Sequence, residues 1–267
     1  MTIPQFQKTI LSWQKENRRD FPWRRTKNPY KILVSEFMLQ QTQTSRVKPK
    51  YQEFLKQFPT VKSLSAASDK KLLKTWEGLG YWRRAIFLRE TARIIKKRYK
   101  GRFPKSEKDF ESMPGIGPYT ARALLCFAFQ NQQPFLDTNI RRVYLQYFFP
   151  KRKRVSDKEI LKIAKKAVLK KDPRKWHYAL FDFGAVKINK RINRKSLHYV
   201  KQKPFEGSFR SFRTKALKAV LSKGRIPHKK LESFLKKEVK KAYLPNDVIS
   251  SLLKDKLIKK SGSHYFV

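Results

Sequence analysis

Apolar residues recur along most of this chain at the three- and four-residue spacing of amphipathic helices. Phe6, Ile10, Leu11 and Trp13 share a face over about 5–16. Residues 20–28 form a predicted loop, closed by an Asn28-Pro29 step that disfavours helix just before it. A helix is predicted from Pro29 through Ile32, Leu33, Phe37 and Met38 to Leu39, and another from near Thr44 carrying Val47, Tyr51, Phe54 and Leu55. Leu64, Leu72, Leu73 and Trp76 mark two short helices, and Gly78-Leu79-Gly80 breaks the pattern before a long helix from Trp82 to Tyr99. Ser106 is a predicted N-cap with Asp109 three residues on. Tyr119–Phe129 is apolar nearly all round and so is expected to be buried, with Cys126 a small core residue. Asp137 opens a helix carrying Ile140, Val143, Tyr144 and Tyr147, and helices follow near 158–169 and 176–186. From Lys187 to Lys203 the apolar pattern lapses and basic residues dominate, which reads as a loop.

The last part of the chain repeats the helical pattern over 211–221, 229–239 and 246–255, the last with Asn246 or Asp247 near its cap. Leu257-Ile258 and His264–Val267 read as β-prone pieces joined by Ser261-Gly262-Ser263. Three helices and a terminal hairpin is a winged-helix pattern. Lys254, Lys256, Lys259 and Lys260 cluster on its helix end and wing, which suggests DNA contact, the alternative being a small packing domain that touches no DNA.

Composition narrows the function classes. Lys and Arg number 65 and Asp and Glu 20, so the formal charge is 65 − 20 = +45. These charges are spread through the folded pattern and interleaved with aromatics, which points to basic faces that hold nucleic acid. A generally basic, solubilising surface is the bland alternative. Hydrophobic residues at 40% exclude wholesale disorder. A single cysteine excludes an internal disulfide and a multi-cysteine metal site. No apolar run approaches the ~18 residues of a membrane helix, and the first residues lack a signal-peptide pattern. The expectation is a soluble intracellular protein, cytoplasmic and nucleoid-associated, with no membrane partner.

Three features carry chemistry. Met113-Pro114-Gly115-Ile116-Gly117 lies between two helices, where Gly115 and Gly117 permit close backbone approach and the next helix start offers N–H groups to a phosphate. This is a helix–hairpin–helix signature, although an ordinary glycine-rich connection would look similar. Asp137 stands at a helix N-terminus, where it stabilises positive charge or simply caps the helix. Glu36 lies in the apolar stretch Val34-Ser35-Glu36-Phe37-Met38-Leu39. Burial there would raise its pKa and make it a general acid, whereas on a solvent-facing side it would be an ordinary helical glutamate.

Six co-linear segments resemble MutY-type adenine DNA glycosylases. They are Phe21-Pro22-Trp23-Arg24, Asn28-Pro29-Tyr30-Lys31, Ser35-Glu36-Phe37-Met38-Leu39-Gln40-Gln41-Thr42-Gln43, Trp76-Glu77-Gly78-Leu79-Gly80-Tyr81, Pro114-Gly115-Ile116-Gly117-Pro118-Tyr119-Thr120-Ala121 and Leu136-Asp137-Thr138-Asn139. The resemblance covers about residues 5–187 and implies an all-α, two-domain helix–hairpin–helix glycosylase fold with a small winged-helix-like C-terminal module. The implied domains are a six-helix barrel over 28–130, a second helical domain from 1–27 plus 131–205, and the module over 206–267.

The resemblance further implies a monofunctional enzyme that hydrolyses the N-glycosidic bond of adenine mispaired with 8-oxoguanine or guanine, acting as a monomer on duplex DNA with the adenine flipped out between the domains. Glu36 would be the general acid and Asp137 the stabiliser of the oxocarbenium-like sugar, with Asn139 and Tyr119 orienting carboxylates and water. Tyr119 stands where related strand-cutting enzymes carry a Schiff-base lysine. Arg24 would lie near the adenine pocket, Gln41, Leu79 and Tyr81 near the opposite base, and Gly115 and Gly117 on the DNA backbone. The family's four iron–sulfur cysteine positions read Ile188, Lys195, His198 and Pro204 here, so no cluster and no other metal is expected. Two other readings are a thymine or uracil mismatch glycosylase of the same superfamily and a non-catalytic basic DNA-binding protein on this scaffold.

Overall fold

The computed structural model describes residues 1–202, 204–238 and 243–267. In chain order the helices are α1 (Ile3–Asn17), α2 (Pro29–Leu39), α3 (Thr44–Gln57), α4 (Val61–Ser65), α5 (Asp69–Trp76), α6 (Arg83–Arg98), α7 (Glu107–Glu111), α8 (Pro118–Phe129), α9 (Thr138–Phe148), α10 (Asp157–Ala167), α11 (Pro173–Val186), α12 (Phe209–Lys223), α13 (His228–Glu238) and α14 (Pro245–Lys254). Three short strands, β1 (Arg225–Pro227), β2 (Lys259–Ser261) and β3 (His264–Phe266), form an antiparallel sheet in the order β1-β3-β2. The chain is thus mostly helical, as its periodicity predicts, and divides into two compact units: Met1–Glu36 with Phe103–Lys201, and Phe37–Arg102 with Gln202–Val267.

In the first unit α1 packs on α10 and α11, and α9 packs on α10 and α11. The seam is aromatic: the ring of Phe6 meets those of Tyr144, Tyr147, Phe148 and Trp176 at centroid distances of 5.0 to 5.6 Å. Thr2 and Gln5 close a reciprocal capping box at the start of α1. Ser106 caps α7 as predicted, accepting from the Asp109 backbone N–H. In the connection to α8, Gly115 takes φ +76°. Gly117 is extended and caps α8, and a Cβ added there would meet nothing within 4 Å. Its lack of a side chain therefore leaves the helix start open to approach.

Residues 187–202 hold more structure than their composition suggests. Lys190–Lys195 is a 3-10 turn started by the Asn189 side chain, which accepts from the Arg191 N–H. The segment is then stitched to Val155 by a parallel bridge: Val155 N–H donates to the Lys195 carbonyl at 2.9 Å, and Leu197 N–H donates to the Val155 carbonyl at 2.9 Å. Lys195 Nζ also donates to the Pro150 carbonyl. Lys203, the end of the predicted loop, lies outside the described residues. The predicted loop at 20–28 likewise contains a 3-10 turn, Pro22–Arg24, with Trp23 and Arg24 buried.

In the second unit α6 packs on α4 and α5, while α12 packs on α13, α14 and the sheet. Two differences from the sequence pattern stand out here. The wing strand begins at Lys259, because Leu257 and Ile258 are buried as core side chains ahead of it. Strand β1 went unpredicted: it has three residues, one of them proline. Helix α14 starts at Pro245 with Leu244 at its N-cap and no side-chain cap, and Asn246 and Asp247 lie in its first turn, near the cap as expected. Val239, the expected end of the preceding helix, lies outside the described residues. Among the described residues no helix is long and apolar enough to cross a membrane.

Candidate active site

Glu36 sits on the last turn of α2 before Phe37 and is 6% exposed. Burial is the main reason its carboxyl is pushed up to about 8; the neighbouring Asp137 adds to the rise, and a hydrogen bond from the Tyr119 hydroxyl opposes it. The buried alternative foreseen for this residue is therefore the one realised. Tyr119, on the first turn of α8, has its own pKa raised well above the usual value by burial and by the two nearby carboxylates.

Asp137 caps α9 and does so while facing Glu36. Its Oδ1 accepts from the Ile140 N–H at 2.6 Å and its Oδ2 from the Asn139 side-chain amide at 2.7 Å. Burial raises its pKa, and these two residues' hydrogen bonds pull it back towards the ionised form. Capping and chemistry are thus compatible roles. The N-terminal turn of α9 is seated against α11, where Gly184 lets the backbone of Asn139 come close. Arg142 donates to the Gly184 carbonyl at 2.8 Å and fastens the same two helices.

Arg24 is buried and tied down. Its guanidinium makes a two-pronged pair with the fully buried Asp182 at 2.7 and 2.9 Å, and it lies 4.5 Å from the ring centre of Tyr178. Asp182 also accepts from Arg19 Nε at 2.7 Å. Arg24 therefore anchors the 3-10 turn to α11 in this structure. Tyr178 is a neighbour that the periodicity did not single out; it feels the charge of both Glu36 and Arg24. Beside it His177 donates from Nδ1 to the Pro173 carbonyl at 2.7 Å and stacks 4.1 Å from Phe135. Burial lowers the His177 pKa to about 4 and lifts that of Cys126, 3.6 Å away, to about 12, so both are neutral packing groups.

Gln41, Leu79 and Tyr81 belong to the second unit and gather around Arg84. Arg84 is buried, and burial lowers its pKa to about 10. Its Nη1 donates to the carbonyls of Phe37, Met38 and Gln40 at 2.6 to 2.9 Å. Its Nη2 donates to Thr42 Oγ1 and to the carbonyls of Leu79 and Gly80 at 3.0 to 3.1 Å. One side chain thus fixes two turns. Leu79 is 3% exposed, so its side chain serves the core, whereas Gln41 is exposed.

Among the described residues no three His, Cys, Asp or Glu side chains are grouped to hold a metal ion. A cluster needs several thiolates, and the sole cysteine, Cys126, is buried in α8; the residues present do not fit one.

The sequence pattern of the HhH-GPD superfamily base excision DNA repair proteins matches residues 34–170. The chain is 40% identical over 191 residues to an adenine DNA glycosylase of Buchnera aphidicola subsp. Baizongia pistaciae, covering 70% of this chain and 54% of that one. It is 47% identical over 135 residues to an adenine DNA glycosylase of Mycolicibacterium smegmatis, covering 50% and 46%. The chain thus spans about half the length of these curated relatives. Among solved structures, a thermostable thymine-DNA glycosylase is similar with a TM-score of 0.63 and 30% identity, covering 69% of this chain and 86% of that one. The Glu36, Tyr119 and Asp137 cluster lies on the matched segment, and the chain belongs to the HhH-GPD superfamily of base excision DNA repair proteins.

Proposed function

We propose that this protein is a monofunctional DNA glycosylase that removes adenine mispaired with 8-oxoguanine or guanine in duplex DNA. The observation that carries the reading is a buried Glu36, raised to about 8, beside Asp137 and hydrogen-bonded by Tyr119. Adenine is a poor leaving group until its N7 is protonated. A carboxyl still protonated at neutral pH supplies that proton. As the C1′–N9 bond breaks, positive charge grows on the sugar, and Asp137, whose charged form accepts hydrogen bonds from Asn139 and Ile140, stabilises it. The Glu36 carboxylate left behind activates the incoming water, and Tyr119 holds that carboxylate in place. A tyrosine at position 119 offers no amine for a Schiff base, so the reaction ends at the abasic sugar.

The open N-terminus of α8 at Gly117 suits a DNA phosphate, and the +45 charge supports a duplex partner. The monomeric state, the nucleoid location and the absence of any cluster belong to the same reading; the last rests on the chain having one cysteine. A second reading, removal of mispaired thymine, is favoured by the likeness to the thymine-DNA glycosylase structure. A single-turnover release assay decides: the protein is given adenine opposite each of 8-oxoguanine, guanine, cytosine and adenine, and thymine opposite guanine. Adenine release from the first two duplexes, with strand breaks only after alkali, is the expected result. Release of thymine alone would replace the reading with the second, and no release would leave a DNA-binding protein without activity.

A further inference from the structure

Gln41 and Tyr81 share an unusual backbone. Both are non-glycine residues in the left-handed region, with φ of 54° and 45°, a conformation that persists only where the surroundings enforce it. Arg84 enforces it from inside, through the carbonyls of both turns. From outside, the C-terminal part of the chain reaches the same two side chains. Gln202 Nε2 donates to Gln41 Oε1 at 3.3 Å. Arg210, at the start of α12, donates from Nη1 to the Tyr81 hydroxyl and lies 5.2 Å from the ring centre.

This approach is fixed by the docking of the whole C-terminal part. Asp255 accepts from Arg213 and pairs with Arg83 at 3.3 Å. Lys218 pairs with Glu77 at 2.9 Å, and Lys259 with Asp69 at 2.6 Å. The last three pairs start from the residue that follows α14, from α12 and from β2, and end on α6, on the turn that follows α5 and on α5 itself. Arg210 is therefore presented to Tyr81 by an element tied to its surroundings at several points.

We propose that Arg210 is a positioning residue which, acting through Tyr81, sets the preference for the base opposite the excised adenine; the inference rests on the glycosylase reading above. A phenol has one O–H to donate and lone pairs to accept. With Arg210 as the donor to its oxygen, the Tyr81 O–H is committed to donating elsewhere. A ring held by cations, with its O–H so directed, suits stacking on a base and bonding to an acceptor edge such as guanine O6 and N7. Losing Arg210 frees the hydroxyl to turn, and selectivity drops although the ring remains.

The test uses the full chain and equilibrium binding to duplexes that carry a non-cleavable tetrahydrofuran site opposite guanine, 8-oxoguanine, cytosine, thymine or adenine. The native protein is expected to prefer the guanine-type partners. Arg210→Ala and Tyr81→Phe should each reduce the pyrimidine-to-guanine ratio of Kd values by about fivefold to tenfold, and the double variant by no more than either alone. Tyr81→Phe keeps the ring and decides the matter if Arg210→Ala does not fold. An unchanged ratio, a uniform loss of affinity for all five duplexes, or no preference in the native protein would overturn the proposal. Adenine release is measured on matched duplexes. A binding preference that depends on Arg210 without any release would sink the catalytic reading and leave this one standing.

Discussion

Gly184 lies so close to Asn139 that a Cβ built on it would stand 2.7 Å from the Asn139 carbonyl carbon and 3.0 Å from Val143 Cγ2. The backbone that carries Asp137 and Asn139 is thus set by a missing methyl group on α11. Gly184→Ala should lower stability by about 1–3 kcal/mol, the cost of overpacking a rigid contact. It should also slow adenine release beyond what the lost folded fraction explains. Urea unfolding and single-turnover release on the same sample check both. Gly117→Ala is the contrast, because open space surrounds that position; its stability should stay within about 0.5 kcal/mol of native.

Glu36 governs the pH dependence. In the proposed reaction its protonated form is the proton donor, so release should be sustained at neutral pH and fall as pH rises through about 8. Stability should move the same way. Between the ordinary value of 4.5 and about 8 the folded chain holds a proton that the unfolded chain has released, so unfolding free energy declines as pH rises across that window. Glu36→Gln should abolish release and flatten that decline, leaving the variant more stable than native at pH about 8. Denaturant midpoints at several pH values test the sign, and a steeper decline in Glu36→Gln would contradict it.

Asp137 separates capping from chemistry by choice of substitution. Asn caps helices as well as Asp, so Asp137→Asn should fold with nearly native stability yet lose almost all release. Asp137→Ala should lose release too, and about 1 kcal/mol of stability with it. Equal thermal stability of the two variants would show that the 2.6 Å bond to Ile140 contributes nothing.

Lys187, Lys190, Arg191 and Arg194 are exposed around the 3-10 turn, whereas Lys195 is committed to the Pro150 carbonyl. Replacing the four exposed residues with Gln should reduce the slope of log affinity for duplex DNA against log salt, by roughly 0.9 for each phosphate they contact. An unchanged slope would mean that this segment stands clear of the DNA. Lys195→Gln, by contrast, should register in thermal stability.

Arg84→Lys keeps a positive charge but cannot reproduce a planar fork that reaches two turns. It should cost about 2–4 kcal/mol, since buried carbonyls lose their donors, and Gln41 and Tyr81 should relax. Limited proteolysis around residues 40–42 and 79–81 is a direct reading of that loosening.

Glu36 was legible because a carboxylate inside an apolar run must either face water or titrate abnormally. Asp137 was ambiguous from sequence, and the geometry shows why: one oxygen caps α9 while the carboxylate faces Glu36. The long helices followed from periodicity. Tyr178 escaped notice because it lies on a helix whose neighbours are nearly all apolar or aromatic, where only tertiary contacts tell a ring beside Glu36 from a core ring. Arg84 and Arg210 were hidden among 65 basic residues, since charge alone does not say which guanidinium turns inward. Strand β1 is too short to show a period, and its pairing with β3 is decided by a partner 39 residues away, as in Ile226 with Tyr265.

Apart from Thr42, the groups that Arg84 hydrogen-bonds are main-chain carbonyls, so it holds the path of the two turns chiefly through the backbone. The platform at Gln41 and Tyr81 is therefore a socket whose contents can be exchanged. If a base is read there as proposed, evolution or a protein engineer can alter which one by substituting outward-facing residues, while the buried arginine preserves the shape that any replacement must use.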